Sequence, residues 1–244
     1  MLNRDDPRYA RVHRIIVSQA VTGESVGIEH YAKMIALCPG LPERLALLED
    51  AWRERHHLVA VQEAALEMGL IVEDGRDDPY WSRIRAAFDE CAARGDLVAC
   101  RMVQDVVLEC FAVTLYRCLV GRVDAALSAR FERIADDEEQ HLRHGLEEAR
   151  RAFESDPEGA FARVEFANER VARVLAEWIR PEDCRPVCGV CGKVGGGCAK
   201  PDLQALELDL IRMRADFVSR YGAVLREAGV PPGTVTRWVA RLFA

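Results

Sequence analysis

The chain has 244 residues, half of them hydrophobic, and a formal net charge of −7. That length admits a sizeable core in one large domain or two small ones, and an acidic balance without a basic stripe argues against a general nucleic-acid binder. The charged run from Leu2 to Arg14 does not read as a secretory signal, so the nine cysteines point to reduced thiols in a cytoplasmic protein.

Ala, Leu, Arg and Glu abound and strand-like alternation is scarce, which predicts an all-α protein. A first helix is expected from Arg8 to about Leu37, closed by Pro39, Gly40 and Pro42, with Glu24, Ile28 and Tyr31 along one side. Gly23 and Gly27 weaken it in isolation but allow close packing beside Glu24. A second helix, Pro42 to Gly69, carries Glu54-x-x-His57, an i, i+3 pair whose side chains project together. After a polar turn at Asp74 to Pro79, a third helix from Tyr80 to about Arg94 shows an apolar stripe of Trp81, Ile84 and Phe88.

The fourth helix, Met102 to Val120, is apolar on nearly every side and should be buried all round. It has the length of a membrane span, but Gln104, Asp105, Glu109 and Arg117 argue against one. Glu109 sits among Leu108, Cys110 and Phe111, and a carboxylate taken out of water needs a raised pKa, a buried cationic side chain or a metal ion. Beyond Gly121 a fifth helix continues to about Phe153 and repeats the pair as Glu138-x-x-His141. A sixth spans Glu158 to Arg180, and a Cys- and Gly-rich insert occupies 181–201 of what reads as one domain over 1–244. A long helix from Asp202 to about Ala228 and a short one after Pro231 and Pro232 complete the chain.

Glu24, Glu54-x-x-His57, Glu109 and Glu138-x-x-His141 thus fall on four separate helices. One Glu from each of two helices and one Glu-x-x-His from each of two others is the ligand set of ferritin-like carboxylate di-iron bundles. The similar spacings, Glu24 to Glu54 and Glu109 to Glu138, fit two hairpins whose ligands meet at mid-height. The expected architecture is a ferritin-like four-helix bundle with additional helices, holding two iron ions, with manganese as the alternative.

Leu108-Glu-Cys-Phe-Ala-Val-x-x-Tyr116 followed by Asp137-Glu138-x-x-His141 and Gly145, together with Gly23-Glu24, Tyr31 and Arg53-Glu54-x-x-His57, resembles the cyanobacterial aldehyde-deformylating oxygenases, or fatty aldehyde decarbonylases. Weaker likeness runs through Ala167-Asn168-Glu169 and Asp216 to Gly222. The resemblance implies a di-iron oxygenase that takes an apolar aldehyde, O2 and electrons from an external ferredoxin or reductase, and releases a one-carbon-shorter alkane and formate. It implies Glu24, Glu54, His57, Glu109, Glu138 and His141 as ligands, with Tyr31, Gln104, Tyr116 and Asp137 as polar residues beside them that orient ligands and feed protons. A monomer or dimer is expected. Other di-iron scaffolds oxidise small or carrier-bound metabolites or serve as non-catalytic metal-binding proteins, and fold alone does not choose among these.

His144 departs from the family, standing three residues after His141; it reads as a helix-packing side chain and His56 as a surface one. The insert is a second departure: Cys184, Cys188, Cys191 and Cys198 offer four thiols for a structural zinc, with disulfides, thiols or an iron–sulfur centre as alternatives. Cys38, Cys91, Cys100, Cys110 and Cys118 read as small buried hydrophobes. Ile28, Val61, Phe111, Val113 and Leu115 are candidates for a dry pocket wall.

Overall fold

Two long helical hairpins carry the centre of the molecule. In the first, α1 (Tyr9–Leu37) packs along α2 (Leu41–Glu67); in the second, α5 (Glu109–Leu119) packs along α6 (Ala125–Ser155), and α2 also meets α6. The computed structural model describes residues 4–182 and 188–243, whose regular structure is helical throughout, in keeping with a ferritin-like bundle.

Helical periodicity explains which faces turn inward. On α6 the buried positions are Leu127, Phe131, Ile134, Ala135, Glu138, His141, Leu142, Gly145, Leu146 and Ala149, spaced mostly by three and four. On α2 they include Leu47, Asp50, Glu54, His57, Val61 and Ala64. The chemistry-bearing residues therefore lie inside stripes that the hydrophobic effect drives toward the core. Burial of their apolar neighbours, at about 25 cal/mol per Å² of apolar surface, holds polar groups where they would not go alone. Helix starts are fixed locally: the side chains of Asp78, Asp96, Asp124, Asp156 and Asp209 each accept a first-turn backbone N–H, caps worth about 1 kcal/mol apiece.

α3 (Pro79–Ala93) makes the crossover between hairpins and buries Trp81, Ile84 and Phe88, as its stripe predicts. α4 (Leu97–Arg101) runs without a break through a π-helical stretch, Met102–Leu108, into α5. A second π-helical stretch, Asn168–Ala172, joins α7 (Pro157–Ala167) to α8 (Arg173–Trp178) and packs against the first. Then follow α9 (Gly189–Val194), α10 (Lys200–Leu203), a 3-10 turn, α11 (Leu210–Glu227) and α12 (Pro232–Phe243).

Two sequence-based boundaries are corrected. The fourth helix starts at Leu97, before Met102, because Asp96 caps it through Ala99 N–H. The long C-terminal helix starts at Leu210 and not at Asp202: the chain turns at Glu207, whose φ of 56° lies in the left-handed region, and Asp209 caps the new helix. Cys38, Cys91, Cys100 and Cys110 are buried as expected and Cys118 is half-buried. No helix among the described residues is long and apolar enough to cross a membrane.

Candidate metal centre

The four helices of the two hairpins aim six side chains at one buried point. Glu24, Glu54, His57, Glu109, Glu138 and His141 are each at most 3 % exposed. Their ligand atoms form two groups, each within 4.8 Å: Glu24, Glu54, His57 and Glu138 in one, and Glu54, Glu109, Glu138 and His141 in the other. Glu54 and Glu138 belong to both.

Local geometry produces this convergence. Gly27 lets α1 approach the Glu54 carboxylate so closely that a Cβ there would lie 2.6 Å from Oε2. Gly145 does the same for α6 against the π-helical backbone, where a Cβ would meet the Asp105 carbonyl oxygen at 2.6 Å. The wider π-helical turn brings residues five apart onto one side, and Gln104 Nε2 accordingly donates to Glu109 Oε1 at 2.9 Å.

Both imidazoles point Nδ1 inward. His57 Nδ1 lies 3.4 Å from Glu24 Oε2 and 3.3 Å from Glu138 Oε1, while His141 Nδ1 lies 3.0 Å from Glu138 Oε2 and 3.3 Å from Glu54 Oε1. Their Nε2 atoms face outward: His57 contacts Asp137 Oδ2 at 3.1 Å and His141 faces Asp50 Oδ1 at 3.7 Å. At His57 the outer carboxylate of Asp137 accepts from Nε2 and leaves the Nδ1 lone pair to a bound cation, whereas His141 Nε2 finds no hydrogen-bond partner among the described residues. The remaining links are made by Tyr116, whose hydroxyl donates to Glu24 Oε1, and by a relay in which His30 Nδ1 contacts Gln104 Oε1 at 2.7 Å. Burial pushes His30 down to about 4, so its neutral ring donates to the Gln104 oxygen and turns the amide nitrogen toward Glu109.

The electrostatics are those of a site built for cations. Burial, then the neighbouring Glu138 carboxylate, pushes the Glu54 and Glu109 carboxyls well above the usual range. Burial opposes ionisation of Glu138 too, but His57 and His141 outweigh it and hold that carboxyl low. The imidazoles are raised in return, their carboxylate neighbours outweighing burial. Glu24 Oε2, Glu54 Oε1, Glu138 Oε2 and both inward Nδ1 atoms are buried without a hydrogen-bond partner among the described residues. Buried polar atoms of this kind are rare in native proteins, and this cluster of oxygen and imidazole donors fits a pair of divalent cations. Among the described residues no arginine or lysine pairs with Glu109; of the three remedies for its burial, the donor set supports the metal.

The polar residues expected beside the ligands divide. Gln104, Tyr116 and Asp137 each contact a ligand side chain. Tyr31 sends its hydroxyl to Asp105 Oδ1 at 3.1 Å, and its ring makes a T-shaped contact with that of His141. Arg101 holds the other Asp105 oxygen at 3.0 Å. Asp50, His30 and Asp105 were not anticipated. Asp50 stands one turn before Glu54 in the same buried stripe, a spacing legible in hindsight. His56 is exposed as expected; His144 is exposed too, so it is not a packing side chain.

Beside the carboxylates lies an apolar space of about 50 Å³, and adjoining it one of about 130 Å³, with Gln19, Ala20, Trp81, Phe111, Leu115 and Tyr116 in the walls of both. Of the expected wall residues, Phe111 and Leu115 line it, whereas Ile28, Val61 and Val113 do not. Cys188, Cys191 and Cys198 line the larger space. Cys184 lies outside the described residues, and Cys188, Cys191 and Cys198 do not form a further ligand cluster among those described.

A Synechococcus protein described as having aldehyde deformylating oxidase activity shares the fold, with a TM-score of 0.79 at 19% identity over 98% of this chain and 100% of that one. The family model for long-chain fatty aldehyde decarbonylase matches residues 4–176, which include all six converging side chains. The chain therefore belongs to the long-chain fatty aldehyde decarbonylase family.

Proposed function

We propose that this protein is a di-iron oxygenase that converts an apolar aldehyde, with O2, electrons and protons, into the one-carbon-shorter alkane and formate. The observation that carries the reading is the buried convergence of four carboxylates and two imidazoles at the inner end of an apolar space. Glu24 and His57 would hold one ion, Glu109 and His141 the other, and Glu54 and Glu138, common to both groups, would bridge them. Bound iron supplies O2 activation and Lewis-acid polarisation of the aldehyde carbonyl.

The rest of the work falls to the chain. Tyr116 and Gln104 fix the orientations of Glu24 and Glu109 by donating to one oxygen of each. Asp137 fixes the His57 imidazole plane from outside. Phe111, Leu115, Trp81 and Ala20 exclude water from the aldehyde end and leave it room beside Glu24 and Glu109. Asp105 accepts from the Tyr31 hydroxyl and can exchange a proton with it, while Arg101 stays charged and holds the other Asp105 oxygen. Burial lifts the Asp105 carboxyl to about 6, against the pull of Arg101, so it gains and loses a proton near neutral pH.

Electrons come from an external donor such as a ferredoxin or reductase, and the protein works in the cytoplasm as a monomer or dimer. The test is to supply iron-loaded protein with heptanal, O2 and a chemical or enzymatic reductant. Hexane and formate in equal amounts support the reading; an alcohol or acid product without formate contradicts it.

A further inference from the structure

The stretch matched by the family ends at residue 176, yet much of the apolar space lies beyond it. Its part remote from the carboxylates is walled by Ala199, Leu203, Leu208, Leu210 and Met213, none of which borders the smaller space beside the ligands. Leu208, Leu210 and Met213 are at most 7 % exposed. Two of these residues face two ways. Leu208 and Met213 also line a charged surface groove of about 700 Å³ that contains Arg117, Arg122, Arg212 and Arg220. The partition between the apolar space and the groove is thus built from those two side chains.

An engineered cavity of about 150 Å³ holds benzene, or about 25 Å³ per carbon. By that measure, spaces of 130 and 50 Å³ take a chain of about seven carbons. A longer tail running toward α11 would meet Leu208 and Met213 and, past them, the arginines and carboxylates of the groove. We infer that Leu208 and Met213 are specificity-determining residues that stop the substrate tail, making this protein selective for medium-chain aldehydes of about seven carbons. The inference rests on the proposed aldehyde chemistry for its substrate, but on the cavity alone for its length.

The experiment measures binding of straight-chain 1-alkanols of four to fourteen carbons to the full-length, metal-loaded protein, followed by the fluorescence of Trp81 and Trp178, which line the cavity. Kd should tighten about fourfold per added methylene up to about seven carbons and then stop improving. Met213→Ala and, independently, Leu208→Ala should move that break to longer chains. In turnover, heptanal or octanal should exceed hexadecanal at least tenfold in kcat/KM, and the variants should narrow the gap. Kd that keeps tightening through twelve carbons, or a break unmoved in both folded variants, overturns the inference. If the binding break appears but no alkane or formate forms, the aldehyde chemistry fails and the length limit stands. If hexadecanal is the best substrate, the length limit fails and the chemistry stands.

Discussion

Gly27 offers a way to separate folding from metal ligation, because the atoms nearest to an alanine Cβ there belong to the Glu54 side chain and not to backbone. Its Cβ would lie 2.6 Å from Glu54 Oε2 and 3.0 Å from the carboxyl carbon, whereas comfortable contact begins near ~3.5 Å. The Glu54 carboxylate must therefore retreat by roughly 1 Å, several times the ~0.2 Å that a metal–ligand bond tolerates. The helix itself gains, since Gly→Ala in a helix interior stabilises by about 0.5–1 kcal/mol. Gly27→Ala should thus leave the melting temperature of the metal-free protein unchanged or raised, while iron affinity falls at least about tenfold. Both sites should suffer, because Glu54 belongs to both ligand groups. Anaerobic ferrous titration beside thermal melts of the metal-free protein is the assay. A folded variant that binds both ions as tightly as the wild type would refute the assignment of Glu54.

Gly145→Ala should behave in the opposite way. Its Cβ meets the Asp105 backbone, which cannot swing aside, so thermal melts should show a loss of about 1–3 kcal/mol. Asp137→Ala removes the outer partner of His57 Nε2 and should weaken iron binding about 10–100-fold with little change in helical content; unchanged affinity would remove Asp137 from the account. Without metal, Glu54, Glu109, His57 and His141 all hold protons that the unfolded chain gives up. Their contribution is complete below the unfolded values of 4.5 and 6.5 and is lost as pH rises toward the raised folded values. Metal-free protein should accordingly melt lower at about pH 9 than at about pH 6. Loading two divalent ions should displace about four protons per chain near neutrality, and calorimetry in buffers of different ionisation enthalpy would reveal a smaller release.

The fold class and the six converging side chains were legible in the sequence because their patterns follow from helix geometry. Glu54 with His57 and Glu138 with His141 sit three apart, and Glu109 stands out because Leu108, Cys110 and Phe111 around it are apolar. What the sequence hid has physical reasons. The π-helical turn that aligns Gln104 with Glu109 leaves no periodic signature, since it widens one turn of a helix that is buried on all sides. Asp50 looks like an ordinary solvated charge until α6 covers it. His30 acts through Gln104 on Glu109, a three-residue relay that only tertiary packing creates. The spacing of the Cys-rich insert points to a zinc staple; that Cys188, Cys191 and Cys198 line the apolar space is a placement no spacing pattern reveals.

Anaerobic titration of the metal-free protein with ferrous iron, read by Mössbauer spectroscopy, bears most directly on the centre. The account predicts saturation at two irons per chain in a spin-coupled pair, reduced to one uncoupled iron in Glu109→Ala. Saturation at a single iron in the wild type, or two magnetically isolated irons, would contradict it.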